Sequence, residues 1–418
     1  MDINKQTFCA APWFSVRNEN SGEYRACCQH NIEKTEFPGR TKYNSNDSIE
    51  SWLNSDYMQY LRTELTQGNR VSECNRCWDR EAVGLESTRQ YTNNVISKTR
   101  TGSIDNTWIP IYFKNKTNYL NDLILSADIK LNNICNFSCA MCNAQDSSLI
   151  YNEWIKQPDN EFVLDLTTKN LEYFTEIKDA YQIKNGMQVL EEVLKHPVRV
   201  LKILGGEPLL NPKLLKRLSE IPAVKRKKID LIFITNGSVD LVKVSKQLTG
   251  FYNIYYIVSI EATGAVQDYI RRGSNWIEIE KNIDNFLNYK QQCADRLEIE
   301  IHCTIQALNI MHYADLKQWC QARNIRHTVG ILESPNYLSL SAVSEELKQK
   351  IVTILKSLTI DSNVQGLLSV LADTNYNSDL AEKFVRFIKW YDPELKLLQV
   401  DTAWQELFLN STPTNERL

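Results

Sequence analysis

The sequence lacks several features that would mark a membrane, secreted or nucleic-acid-binding protein. No run approaches the ~18 apolar residues a membrane-spanning helix needs. The opening residues, MDINKQTFCAAPWF, lack a basic stretch followed by the roughly 7–15 apolar residues of a secretion signal. Nor is there a basic excess: 48 Lys and Arg face 51 Asp and Glu, a formal charge of −3, which disfavours a nucleic-acid partner outside a local groove. Internal repeats and low-complexity tracts are missing too. The expectation is a soluble, cytoplasmic chain with no membrane partner. At 418 residues it exceeds the usual size of one core, so a large domain with smaller satellites is expected.

Cysteine is clustered, and one cluster lacks a member. Eleven cysteines grouped this way suit a reducing compartment where thiolates bind metal rather than pair as disulfides. Residues 134–143, ICNFSCAMCN, place Cys135, Cys139 and Cys142 in a C-x3-C-x2-C run, for which random placement gives about 0.008 matches. Structural zinc takes four protein ligands. After Cys142, however, the next Cys is Cys293 and the next His is His196. Three thiolates on one loop can instead hold three corners of a [4Fe–4S] cluster, leaving the fourth iron to a non-protein ligand. Cys293, Cys303 and Cys320 stand singly and are expected as small buried hydrophobes.

Strand-like segments recur through the middle of the chain at 126–131, 198–204, 228–235, 253–260, 297–305 and 325–332. Most are near-continuously apolar, as in parallel strands buried on both faces. Between them QVLEEVLKH, NPKLLKRLSEI and WIEIEKNIDNFLNYK carry apolar residues at helical spacing. Six β/α repeats make either an open doubly wound sheet or a barrel, complete or partial, and both place ligands at the carboxyl ends of the strands. The polar punctuation falls there: CNFSC, GGEP, NGS, EAT and Gln306 follow the first five strands in turn.

Together these motifs resemble the radical SAM superfamily over about residues 125–335. Cys135-x3-Cys139-x-Met141-Cys142 is similar to that family's cluster loop, with an apolar residue before the third Cys. Gly205-Gly206-Glu207-Pro208 resembles its GGEP motif, which implies a backbone site for the amino group of S-adenosylmethionine. Thr235-Asn236-Gly237 and Ser259-Ile260-Glu261 resemble strand-end motifs near the cofactor ribose and carboxylate, with Glu261 in place of the commoner Asp. YIRRGSNW resembles the stretch whose Arg pairs with the cofactor carboxylate, so Arg271 or Arg272 takes that role, and Gln306 joins the cofactor-binding set. Taken singly, GGEP reads equally as a turn and the arginines as solvated charges.

The resemblance implies an α/β fold, a partial (β/α)6 TIM-like barrel of radical SAM type over 126–335. A small auxiliary iron–sulfur domain would precede it at 1–90, with a linker at 91–125 and a helical extension at 336–418. Cys9-x12-Gly22-x4-Cys27, followed by Cys74-x2-Cys77, is similar to the SPASM and twitch extensions of such enzymes, although those usually follow the barrel. One auxiliary [4Fe–4S] cluster on Cys9, Cys27, Cys74 and Cys77 is expected; a four-thiolate zinc knuckle competes on spacing alone. Cys28 is left over, and Trp13, Phe14 and Trp78 would keep water off a cluster or build a small core.

The implied activity is reductive cleavage of S-adenosylmethionine to a 5′-deoxyadenosyl radical that takes hydrogen from a substrate, with electrons from a flavodoxin- or ferredoxin-type donor. Relatives with such extensions often cross-link, epimerise or dehydrogenate peptides or proteins, which makes a peptide or protein the expected substrate. A sugar or nucleotide is the alternative, since residues 1–90 show no winged-helix leader-binding segment. Outside enzymology, the same thiols would suit a metal-bound binding or electron-transfer module. No catalytic acid or base can be named.

Overall fold

The computed structural model describes residues 6–44, 46–82, 84, 86–101, 124–166, 174, 186–294, 296–396 and 405, with side chains of 97–101 excluded. Among the described residues, eight strands lie in the sheet order β2-β1-β3-β4-β5-β6-β7-β8. They are β1 (Ser15–Asn18), β2 (Tyr24–Arg25), β3 (Ser126–Lys130), β4 (Val200–Leu204), β5 (Asp230–Thr235), β6 (Asn253–Ser259), β7 (Leu297–Ile305) and β8 (Arg326–Ile331). The last six fall within the six segments read from the sequence, and helices alternate with them. This is the element order of a partial (β/α)6 barrel, as expected.

The chain divides into two compact units. One comprises Met1–Asn133, Glu172–Phe233 and Leu248–Ile254; the other comprises Ile134–Leu171, Ile234–Gln247 and Tyr255–Leu418. In the first unit β3, β4 and β5 pair in parallel, Ala127 opposite Leu201 and Leu201 opposite Leu231. Two strands were not anticipated. β1 joins β3 in parallel and β2 joins β1 antiparallel, so residues from the amino-terminal cysteine region extend the same sheet. Only two to four residues long, they carry too little periodicity to be read as strands.

Strands β4 and β5 are buried nearly throughout, as expected of buried parallel strands, whereas β3 and β6 alternate buried with half-buried residues. In β3, Ala127 and Ile129 are buried while Ser126, Asp128 and Lys130 are half-buried. The apolar face packs on helices: in Gly186–Val193, a Cβ on Gly186 would stand 2.2 Å from the Lys130 carbonyl, so only glycine permits that approach. The opposite face carries charge.

In the second unit β7 and β8 pair in parallel, and Ile301, Cys303 and Ile305 are fully buried. The helix Trp276–Gln292 is capped by Asn275 and buries Ile279, Ile283 and Phe286, with Phe286 edge-on to Tyr256 of β6 at 5.2 Å. Cys303 and Cys320 are buried as expected, while Cys293 is only half-buried and caps that helix. Residues 48–67 form two helices, Ile49–Leu53 and Asp56–Gln67, because Ser55 caps the second by accepting the Met58 N–H. Of the stretch read as a linker, 91–101 continue the helix Thr88–Thr101; 102–123 and the last ten residues lie outside the described residues.

Candidate functional site

The loop after β3 owes its shape to contacts made within the second unit. Phe137 is buried as its anchor, and the Phe137 carbonyl accepts the Ser147 hydroxyl at 2.7 Å. Ser138 and Ala140 donate their N–H groups to the Arg272 and Ile270 carbonyls, both at 2.8 Å, which stitches the loop to residues 270–273. Gly273, at φ +99°, completes the seam: a Cβ there would approach the Asn136 carbonyl to 2.9 Å. Asn236, at the end of β5, donates its amide to the Asn136 side chain at 2.8 Å, and Gly237 takes φ +78° beside Val258.

The loop presents Cys135, Cys139 and Cys142, all half-buried, with Met141 half-buried between the last two. Burial pushes the Cys139 thiol up to about 11 against the pull of Arg271, and burial with Asp146 nearby pushes Cys142 well up. Cys142 also feels the charges of Cys139 and Cys135, so the three sulfurs lie within electrostatic reach of one another. Thiols so placed become thiolates only when a cation takes the proton's place. Among the described residues, no three Cys, His, Asp or Glu side chains could hold a single metal ion. A cubane's thiolates bind separate irons and need a wider spacing than the ~2.3 Å bonds around one zinc impose.

Beside the loop is a buried ion pair. Glu261, fully buried, accepts from Arg271 Nη2 at 2.6 Å and from the Thr304 N–H at 2.6 Å, while its own N–H donates to Gln267 and its carbonyl accepts from Asn309. Arg271 Nη1 stands 3.8 Å from Cys139 Sγ. Arg272 turns elsewhere: it pairs with Glu153, donates to the Ser138 hydroxyl and lies over the Tyr391 ring. The two arginines left open by the sequence are thus separated, Arg271 toward the cysteines and Arg272 toward the surface. Ser259 ends β6 half-buried.

Two buried polar groups in this unit have no hydrogen-bond partner, which suits a polar ligand. Gln306 is fully buried with neither amide atom partnered, and Arg271 Nε is likewise buried and unpartnered. An amide and a guanidinium edge are suitable partners for the polar groups of S-adenosylmethionine.

The GGEP residues belong to the first unit. Gly205 and Gly206 take φ +92° and +53°, and a Cβ on Gly205 would stand 2.9 Å from the Asn132 carbonyl, so glycine alone lets this turn lie against the exit of β3. Glu207 is buried and accepts the Leu209 N–H at 3.1 Å, capping the short turn Pro208–Leu210. Thr235 is buried at the end of β5.

The amino-terminal cysteines converge within the first unit. Cys9, Cys27, Cys74 and Cys77 line one cavity with Leu65 and Trp78. Cys74 closes a 3-10 turn and Cys77 lies in the first turn of the helix Asn75–Ala82, so their three-residue spacing puts both on one face. Burial pushes the Cys9 thiol up to about 12 and raises Cys27, Cys74 and Cys77 as well. Trp78 is held by its Nε1 bond to the Val71 carbonyl and by Arg89 over its ring, itself paired with Glu81 at 2.6 Å. Trp13 and Phe14 are buried but do not line the cavity, and Cys28 faces a neighbouring cleft.

Some contributors had no signal in the sequence. Tyr391, at the end of the helix Ser378–Tyr391, points its hydroxyl at the Tyr269 carbonyl (3.1 Å) and the Ser138 carbonyl (3.3 Å), pinning the cysteine loop from some 250 residues away. Gln267 and Asn309 act through their partners and belong to no motif.

Residues 129–297 match the Radical SAM superfamily model. No curated protein matches the sequence. Similar solved structures include native anSMEcpe with bound AdoMet, at 17% identity over 62% of this chain and 66% of that one, with TM-score 0.34. They also include Streptococcus suis SuiB bound to S-adenosylmethionine, at 14% identity over 90% of this chain and 72% of that one, with TM-score 0.33. Against anSMEcpe with AdoMet and a peptide bound, the chain spans 59% of that structure's length.

Proposed function

We propose, from the premise that residues 129–297 are a radical SAM domain, that this chain is a radical enzyme that cross-links, epimerises or dehydrogenates a peptide or protein. When bound, a [4Fe–4S] cluster with S-adenosylmethionine supplies the 5′-deoxyadenosyl radical that takes a hydrogen atom from substrate. The observation that carries the reading is the set of three half-buried cysteines on a pinned loop beside an ion pair and two orphaned polar groups.

In this reading Cys135, Cys139 and Cys142 are the cluster ligands. Arg271, oriented by Glu261, offers its free Nε edge to the cofactor carboxylate, and Gln306 offers its unpartnered amide to another polar group of the cofactor. The resemblance of Gly205-Gly206-Glu207-Pro208 to the GGEP motif assigns the methionyl amine to these residues. Cys9, Cys27, Cys74 and Cys77 hold a second [4Fe–4S] cluster of twitch type, with Trp78 keeping water away. The peptide or protein substrate rests on the likeness of that four-cysteine set to extensions found on many peptide-modifying radical enzymes. A flavodoxin- or ferredoxin-type protein supplies the electron.

Anaerobically reconstituted protein given S-adenosylmethionine and a strong reductant should release 5′-deoxyadenosine; release by Cys139→Ala would sink the reading. Iron and sulfide of about eight each support two clusters, on four per cluster. Zinc in their place would make the chain a metal-held binding module.

A further inference from the structure

The charged face of the first unit's sheet has a specific construction. The register sets Arg17 of β1 opposite Asp128 of β3, and Asp128 opposite Lys202 of β4, so three charges stand side by side across three parallel strands. Asp128 is shared loosely, 3.6 Å from Arg17 Nη1 and 3.5 Å from Lys202 Nζ. Arg17 also pairs with Glu19 at 2.5 Å, and Glu19 with Lys130 at 2.7 Å. Glu19 thus draws Arg17 and Lys130, while Lys202 meets the shared Asp128 at 3.5 Å.

The row is not on the surface. The side chains of Arg17, Asp128 and Lys202 are 10%, 13% and 19% exposed. They line a cleft with Ser15, Cys28 and Tyr91. The Ser15 hydroxyl is buried in the wall of that cleft with no partner. Burial opposes the charge of Lys202, yet Asp128 holds its pKa above the ordinary lysine range, so the ammonium persists. A part-buried cation whose partners stand at 3.5 Å, beside an orphaned donor, is stabilised by an incoming anion. Cys27, Thr88 and Thr92 line both this cleft and the four-cysteine cavity, so the two adjoin.

We propose that this cleft binds an anionic group of the substrate, a carboxylate or phosphate, between Lys202 and Arg17, with the Ser15 hydroxyl as a further donor. Calling the anion part of the substrate rests on the radical enzyme reading; anion binding does not. The proposal narrows the substrate to one with a free acidic group, such as an acidic side chain, a peptide terminus or a phosphorylated moiety.

Cys28 supplies a residue-resolved probe, because it lines the cleft and is outside the set of cluster ligands. The full reconstituted chain is alkylated anaerobically with iodoacetamide, and modification is timed on the peptide containing residues 26–34. Inorganic phosphate, acetate or both should slow Cys28 alkylation roughly threefold or more relative to chloride at equal ionic strength. Phosphate alone would point to a phosphorylated substrate, and acetate alone to a carboxylate. Lys202→Met should abolish the protection and Lys202→Arg should retain it. Asp128→Asn, which removes the competing carboxylate, should tighten anion binding by about three- to tenfold, whereas a merely structural salt bridge predicts no tightening. Should Cys28 react too slowly to time, the anion-induced rise in unfolding temperature, present in wild type and absent in Lys202→Met, reads the same event. Protection by chloride equal to that by phosphate and acetate, or undiminished protection in Lys202→Met, overturns the proposal. Anion protection without 5′-deoxyadenosine release would defeat the enzyme reading while leaving this site; normal release without protection would do the reverse.

Discussion

Replacing Glu261 with Gln removes one charge and almost no volume from the fully buried carboxylate beside the cysteine loop. Its two oxygens hold Arg271 and the Thr304 N–H, each at 2.6 Å. An amide can still accept the Thr304 N–H, but it leaves the Arg271 guanidinium, 11% exposed, without its counter-charge. Removing one partner of a buried pair costs about 3–5 kcal/mol. Arg271 also has Cys139 Sγ at 3.8 Å, which places the cost at the lower end, about 3 kcal/mol in protein stripped of metal. That is more than a hundredfold, on the order of 10² in the folding equilibrium. With a cluster loaded, thiolate charge beside Arg271 should reduce the loss to about 1–2 kcal/mol. Glu261→Asp withdraws the carboxylate by one carbon–carbon bond, about 1.5 Å, so it keeps only one contact and loses an intermediate amount. Urea unfolding of the stripped and loaded forms, followed by circular dichroism, measures all three. If Glu261→Gln stays within about 0.5 kcal/mol of wild type in stripped protein, Arg271 does not depend on Glu261 and the positioning argument fails.

Gly273→Ala forces a Cβ to 2.9 Å from the Asn136 carbonyl at φ +99°, so it should cost about 2 kcal/mol or more and shed iron from the cysteine loop faster than wild type in a chelator challenge. Tyr391→Phe removes the hydroxyl that bridges to Tyr269 and Ser138; a loss of about 1 kcal/mol and earlier iron release are expected, while unchanged release would show that the loop does not need this tether. Cys77→Ala should lower bound iron from about eight to about four per chain and Cys28→Ala should leave it unchanged, by colorimetric assay. His30, buried and bonded to Tyr57, is held down to about 3 by burial and by Arg25. Its folded pKa lies below the unfolded one, so the unfolded chain binds the extra proton between them. Stability of metal-free protein should fall as pH drops from about 6.5 toward 3, by up to about 1.4 kcal/mol per unit, and His30→Gln should flatten that limb.

Local information placed much of the scaffold. A run such as LEIEIHCTI is a strand because its pattern suits the extended chain, and it was found at Leu297–Ile305 as read. The cysteine spacing, the glycines of GGEP and the glycine of TNG were legible for a similar reason: ligand count and positive φ are properties of a few consecutive residues. Strands β1 and β2 escaped notice because such short segments are specified by their partner, here β3, rather than by periodicity.

The sequence by itself determined which residue types could do chemistry and roughly where along the chain they lie, since spacing and composition are local. Only the tertiary structure chose between equals. Arg271 and Arg272 are chemically identical neighbours, yet a buried Glu261 claims the first and a half-exposed Glu153 the second. Cys27 and Cys28 are adjacent, yet the fold directs the first to the four-cysteine cavity and the second to the charged cleft alone. Tyr391 carries no motif, and its hydroxyl matters because chain folding brings it to Ser138. Such choices depend on distances between residues far apart in sequence, and those distances exist only once the chain has packed.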